Sequence, residues 1–304
     1  MDVGKFIPIK TVVGPGSQTD DFAEGVLEYI NMPSEMDTFH QPILPEPEEI
    51  GNIDGALELL QVAADMLQTF DHNQGPQQLD LAGLSASSLS LINQFMGVGE
   101  VSATLTKHQV ASDAPADSIT NLDPSRIEIQ ESVMAGLWRV REINNDNVVT
   151  KEYIEVAPIP SSVQTDSFAD ARPTVLADLQ TVPTGVINCP AILTELYERG
   201  RDYQKGDAPL VVNLSLLPLS NEDVVLLGER LGVGPTVILS RGYGNCRIGA
   251  TNCKNVWWIK YYNSEDALIL NTIEVIDIPE VAIASPEDIG DSAHRLLEML
   301  EIYQ

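Results

Sequence analysis

Hydrophobic and polar positions follow two periods along this chain, and each period recurs in two separate stretches. Apolar residues spaced three to four apart predict amphipathic helices over 53–70 and 190–204. Short strands are expected at 79–81 and 210–216. Each leads to a helix with a serine N-cap, Ser85 or Ser220, and Asp223 completes a capping box in the second stretch. Gly97 and Gly232 suit the left-handed position that ends such helices. Alternating patterns then predict strands at 101–105 and 236–240, a longer strand around Arg126 or Arg247, and a closing hairpin with turn residues 144–147 or 263–266. A last helix is signalled by Ser285 as N-cap, Pro286 in the first turn, Asp288, and a stripe of Ile289, Ala293, Leu296, Leu297 and Leu300.

The doubling extends to residue identity. The run from Leu79 matches the run from Leu214 at a constant offset of 135, through Leu81/Leu216, Leu84/Leu219, Ser85/Ser220 and a shared Gly-Val-Gly. The run from Leu137 matches the run from Val256 at an offset of 119, through Trp138/Trp257, Asn144/Asn263 and the endings Ile-Glu-Val-x-x-Ile-Pro. Between them, Arg126-Ile127 aligns with Arg247-Ile248 at 121, and a turn-rich loop in the first copy absorbs the difference. Collinear blocks of this kind read as a tandem duplication. The expected fold class is α+β, a helix-strand-helix-strand-strand-hairpin unit occurring twice. Residues 1–50 form an N-terminal helix near 20–30 and a proline- and acid-rich extended arm, 51–172 the first repeat and 173–304 the second. Residues 79–160 and 214–279 should superpose, with Trp138 and Trp257 buried at equivalent places.

Composition narrows the class of function. The 304 residues carry 45 acidic and 17 basic side chains, a formal charge of −28. Residues 11–106 hold 15 acids and no Lys or Arg, and from Tyr261 onward ten acids meet one base, Arg295. Such a field repels nucleic acid and anionic lipid and attracts basic peptides; plain solubility is the alternative origin of the excess. No apolar run approaches the roughly 18 residues of a membrane helix, and the N-terminus lacks the pattern of a secretory signal. A cytoplasmic protein with reduced thiols is expected.

The exception to the acidity is 231–264, which has no Asp or Glu and four bases: Arg241, Arg247, Lys254 and Lys260. Strand alternation puts Trp257, Ile259 and Tyr261 on one face, with Trp138, Val140 and Glu142 as counterparts. The opposite face carries Trp258, Lys260 and Tyr262, matched by Arg139, Arg141 and Ile143. The first face is expected to be core. The second mixes aromatic and cationic groups in the manner of a protein interface, with Trp258 expected to be exposed in the free protein. Packing of that face under a neighbouring helix is the alternative. Six residues intervene between Cys246 and Cys253, no histidine lies near them, and Cys189 is remote; small buried thiols are the simpler account. His40, His72, His108 and His294 are scattered. The sequence contains no GxGxxG, GxxxxGK[ST], GxSxG or HExxH. No catalytic residue, metal ligand or cofactor is expected, and the protein is not read as an enzyme.

GVGEVSA (97–103), IQESVMAGLWRV (129–140), NCRIGAT (245–251), NVWWIKYYNS (255–264), ILNTIEV (269–275), PEVA (279–282) and the LPEPE arm resemble the HupH/HyaF hydrogenase expression/formation proteins. The resemblance implies an accessory protein in maturation of an uptake nickel–iron hydrogenase. The implied partner is the iron–sulfur small-subunit precursor, made with a twin-arginine export signal, and another maturation accessory protein is a further candidate. Arg139, Arg141, Trp258, Lys260 and Tyr262 are then the candidate docking face. Glu46, Glu48 and Glu49 are the candidate acidic attractors of the basic signal. A rival reading is an iron–sulfur or metal carrier using Cys189, Cys246 and Cys253.

Overall fold

The computed structural model describes residues 55–71, 75–107, 125–173, 182–241 and 245–303. The expected arm, the helix near 20–30 and Glu46, Glu48 and Glu49 lie outside the described residues. The described chain is α+β. Six helices are α1 (Ala56–Gln68), α2 (Ala86–Met96), α3 (Ser161–Asp166), α4 (Cys189–Asp202), α5 (Asn221–Leu231) and α6 (Pro286–Glu301). The strands are β1 (Gln77–Asp80), β2 (Val101–Lys107), β3 (Ser125–Glu131), β4 (Leu137–Ile143), β5 (Val149–Val156), β6 (Leu210–Asn213), β7 (Thr236–Ser240), β8 (Asn245–Ala250), β9 (Val256–Tyr262) and β10 (Leu268–Val275). Residues 214–216, expected as the end of a strand, turn into a short 3₁₀ helix because the Asn213 side chain accepts the Ser215 N–H.

All ten strands form one antiparallel sheet in the order β1-β5-β4-β3-β2-β7-β8-β9-β10-β6. Each half presents the same order outward from the central β2–β7 pair, which runs from Val101 opposite Ser240 to Leu105 opposite Thr236. Matched positions make matched hydrogen bonds. Val133 N–H donates to Met96 O at 2.8 Å, and Asn252 N–H to Leu231 O at 3.0 Å. Gly99 N–H reaches Glu131 O and Gly234 N–H reaches Ala250 O, both at 2.8 Å. In the hairpins, Asn144 Oδ1 accepts from Asp146 and Val148, as Asn263 Oδ1 accepts from Glu265 and Ala267. These bonds set the offset of β3 against β8 at 119, so the alignment of Arg126 with Arg247 is corrected: Arg247 stands where Glu128 stands. Two matching arginines had simulated a register that the ladder excludes.

Alternation divides the core between the two faces of the sheet. One face is lined by Ile127, Ile129, Trp138, Val140, Ile238, Ile248, Trp257 and Ile259. It is covered by the connections after β5 and β10, with Val163 of α3, Phe168 edge-on to Trp257 at 5.0 Å, and Ala282. Both tryptophans are buried, and both indole N–H groups are satisfied at matched sites, Trp138 on Ala157 O at 2.8 Å and Trp257 on Ile276 O at 3.2 Å. The other face carries helices at its two ends. α1, α2 and α6 pack over Leu137, Ile154 and Val156; α4 and α5 pack over Val212, Val256, Trp258, Ile273 and Val275. α6 follows the second half in sequence yet buries Ile289, Ala293, Leu296 and Leu300 in the first half's cluster.

The caps are as expected for Ser85, Ser220 and Ser285. Gly97 and Gly232 have φ of 57° and 67°, but ψ of −160° and −175° places them outside the left-handed helical well, in a region open to glycine alone. Asp223 does more than close its capping box. Its Oδ1 accepts the N–H groups of Ile187, Asn188 and Cys189 at 2.8–2.9 Å, so one carboxylate caps α4 as well as α5. Burial alone would raise its pKa; the donors from Cys189, Ser220 and Ile187 overcome this and hold it below the ordinary value. Glu131 is the reverse case. It is buried where the second half has Ala250, and burial drives its pKa up to about 7. The Gly136 N–H opposes this shift, and the charge of Glu100 adds to it.

Trp138→Ala and Trp257→Ala should each cost about 3–5 kcal/mol in urea denaturation. Asp223→Asn should cost on the order of 2–3 kcal/mol at neutral pH. Because the folded pKa is depressed, that difference should hold above about pH 4 and shrink as pH falls through the folded value. For Glu131 the sign reverses. The folded state binds the extra proton between the ordinary carboxylate pKa and about 7, so wild-type stability falls across that window and is level above it. Glu131→Gln should therefore stabilise the protein by on the order of 3 kcal/mol at pH 8 and by nothing near pH 4. Urea midpoints at both pH values check the pair.

Candidate functional site

Between the two helical clusters, the central strands β2, β3, β7 and β8 give no residue to either cluster. On that face β2, β3 and β8 carry a polar belt, interrupted by Val237 and Leu239 on β7 and continued on β4 and β9 by the candidate docking residues. Register fixes the belt's order. On β3 and β4, Glu128 stands opposite Arg141 and Gln130 opposite Arg139. On β8 and β9, Arg247 stands opposite Lys260, Gly249 opposite Trp258 and Asn245 opposite Tyr262. Trp258, Lys260, Tyr262, Arg139 and Arg141 therefore do share one face of one sheet. They do not form one patch: β4 and β9 are five strand spacings apart, about 24 Å at 4.8 Å per strand.

In the first half the belt is a set of ion pairs. The Glu128 carboxylate accepts from Arg126 Nε at 2.9 Å and Arg141 Nη2 at 3.0 Å, and Arg139 pairs with Glu152 at 2.8 Å. Partly exposed pairs of this kind contribute about 0–1 kcal/mol each, so their effect is to fix side-chain positions more than to stabilise. In the second half the matched positions hold different chemistry. Trp258 Nε1–H donates to Asn271 Oδ1 at 2.6 Å where Arg139 meets Glu152, and Asn245 faces Asp266 where Arg126 faces Asn147.

The expectation that Trp258 is exposed is corrected. It is 8% exposed, packed under α4 and α5 with Val256 and Ile273, and its polar edge is satisfied. Lys260 is buried as well, at 6%, with its ammonium 6.0 Å from the Trp258 ring centroid. The reason is tertiary: α4 and α5 lie over the end of β9, so its second face is a second core. Arg141 is the most exposed of the five, Tyr262 is half-buried, and Arg139 is held by Glu152. Glu128, Glu152 and Arg247 were not singled out as site residues. Aligning β3 with β8 at offset 119 would have shown the exchange of Glu128 for Arg247.

The three cysteines do not converge. Cys246 lies in the cluster on the opposite face from the one that holds Cys189 and Cys253. Burial raises the pKa of Cys189 and of Cys246 to about 12; it also pushes the Cys253 thiol up, against the pull of the Arg172 guanidinium. All three are thiols at neutral pH, whereas metal ligation needs thiolates. Among the described residues no group of three or more His, Cys, Asp or Glu is placed to hold a metal ion, and no helix is long and apolar enough to cross a membrane.

Comparison with known proteins adds what this geometry alone does not name. Residues 186–303 match the family described as HupH hydrogenase expression protein, C-terminal conserved region. The hydrogenase expression/formation protein HoxQ of Cupriavidus necator is 39% identical, covering 97% of this chain and 96% of its own. HupH of Rhodobacter capsulatus is 41% identical, with coverage of 95% and 94%. The hydrogenase-1 operon protein HyaF of Escherichia coli is 29% identical over 95% of each chain. A solved HupH from Thiobacillus denitrificans covers 38% of this chain and 95% of its own at 26% identity, with a TM-score of 0.32. On the identity and coverage of these full-length relatives, the chain belongs to the HupH/HoxQ/HupQ/HyaF family of hydrogenase expression/formation proteins.

Proposed function

We propose that this protein is a cytoplasmic, non-enzymatic accessory factor of nickel–iron hydrogenase maturation, a chaperone that binds the iron–sulfur small-subunit precursor before export. The observation that carries the proposal is the near full-length relatedness to proteins named for hydrogenase expression and formation. Three features agree with binding rather than chemistry. The buried thiols are protonated, the ionisable groups of the first-half belt neutralise one another, and the buried carboxylate Asp223 is occupied as a helix cap.

The acidic surface suits a basic partner. A formal charge of −28 accelerates encounter with a twin-arginine segment, and Glu46, Glu48 and Glu49 are the proposed first contacts. Of the candidate docking residues, Arg141 and Tyr262, the least buried of each half, are the proposed contacts for folded surface, on separate parts of the sheet; Arg139 is held by Glu152, and Trp258 and Lys260 are buried. The matched hydrogen bonds of the two halves support their origin as copies of one unit, 51–172 and 173–304, behind an N-terminal arm.

Association of purified protein with the small-subunit precursor should slow as salt rises, because screening shortens the field to about 8 Å at physiological ionic strength. Replacing Glu46, Glu48 and Glu49 by Gln should lower the on-rate more than it raises the off-rate, as measured by stopped-flow or surface binding. A precursor without its signal segment should lose the salt dependence. Rates indifferent to both salt and signal would sink the electrostatic part of the proposal, and no binding at all would sink the chaperone assignment.

A further inference from the structure

The belt of the second half differs in the sign of its charges from that of the first. In the first half the cross-strand pair Glu128–Arg141 is an ion pair. In the second half the same pair of sheet positions holds Arg247 and Lys260, two cations directly opposite each other. Like charges so placed repel, with side chains only about 5 Å apart at Cβ. The sheet positions around Arg247 offer no anion: Leu239 lies opposite on β7, Lys260 opposite on β9, and Asn245 and Gly249 lie two residues away on its own strand. Gly249 is buried and adds no side chain to the floor, where the first half has Gln130.

The guanidinium itself shows the consequence. Nε and Nη2 of Arg247 are buried and have no hydrogen-bond partner among the described residues. These two N–H groups form one edge of the planar fork, the edge that receives both oxygens of a carboxylate. A buried, unsatisfied charged donor is costly, and a carboxylate on that edge removes the cost. The chain already uses this edge at Arg201, whose Nε and Nη2 donate to the two oxygens of the Asp202 carboxylate at 2.8 Å each. Burial also lowers the Arg247 pKa, as expected for a guanidinium that lacks a counter-charge, with Tyr262 opposing.

We propose that Arg247, with Lys260 beside it, forms a binding site for one carboxylate group that none of the described residues supplies. The ligand is a small carboxylic acid or a Glu or Asp side chain of a polypeptide, received end-on by the Nε–Nη2 edge. The site is distinct from the attraction of a basic signal by the acidic surface, and it stands or falls independently of the small-subunit assignment.

Full-length protein labelled with ¹⁵N-arginine would be titrated with sodium acetate in one arm and with a blocked Gly-Glu-Gly peptide in another, against sodium chloride at matched ionic strength. The Arg247 Nε–H resonance, assigned by its loss in Arg247→Lys, should shift saturably with carboxylate and not with chloride, while that of Arg126 should not move. A shift with acetate identifies a small-molecule site, and a shift with the peptide alone identifies a polypeptide carboxylate. No Arg247 shift in either arm overturns the proposal. A second arm needs no ligand. Arg247→Glu restores the arrangement of Glu128 and Arg141, and should raise the melting temperature by about 2 °C or more although it makes an acidic chain more acidic. A fall in melting temperature would show the cation pair to be neutralised already, which also overturns the proposal.

Discussion

The pairing of β2 with β7 is the contact on which the rest of the molecule depends. Five residue pairs, Val101/Ser240 to Leu105/Thr236, turn two five-stranded halves into one ten-stranded sheet. Without that pairing each half would present a row of unpaired backbone groups along a full-length strand, the kind of edge that recruits other chains. With it, the remaining edges are the four-residue strands β1 and β6. The same junction merges the apolar faces of the halves into one cluster around Trp138 and Trp257. It also brings the first half within reach of α6, which belongs to the second half in sequence.

The joined sheet treats its two faces differently. One holds a continuous apolar cluster around Trp138 and Trp257, with Glu131, Glu155 and Glu274 standing beside the tryptophans, and the connections that follow β5 and β10 close it. The other is apolar at its ends, beneath the helices, and at Val237 and Leu239 of β7, and the polar side chains of β2, β3 and β8 form the belt between. In that belt the halves differ in charge while their backbone hydrogen bonds match. Glutamate–arginine pairs in one half become a tryptophan–asparagine contact and an arginine–lysine opposition in the other. The buried carboxylates follow the same division. Asp223 is satisfied by five donors across two helix ends, whereas Glu131 occupies an alanine's place in the other half and is held near neutrality by burial.

The doubled pattern of caps, turns and hydrophobic periods was legible in the linear chain, because each signal is local. A serine accepts a backbone N–H three residues on, and an asparagine folds a hairpin turn onto itself, whatever else the chain does. The core face of β9 was legible for the same reason, since alternation and the shared tryptophan require no knowledge of partners. The family was legible in the residues from 245 to 282, and so was the absence of a familiar catalytic motif. What lay out of reach was everything that depends on which elements lie over which. Trp258 sits at an outward position by alternation and became core only when α4 and α5 were laid across it. Likewise, Arg126 and Arg247 match as letters but not in the ladder, where the bonds of Gly99 and Gly234 set the register and put Arg247 in the place of a glutamate. Local hydrogen bonds and side-chain period are written in the chain one turn at a time. The covering of a face and the charge across a strand pair are relations between distant segments, and only the folded sheet decides them.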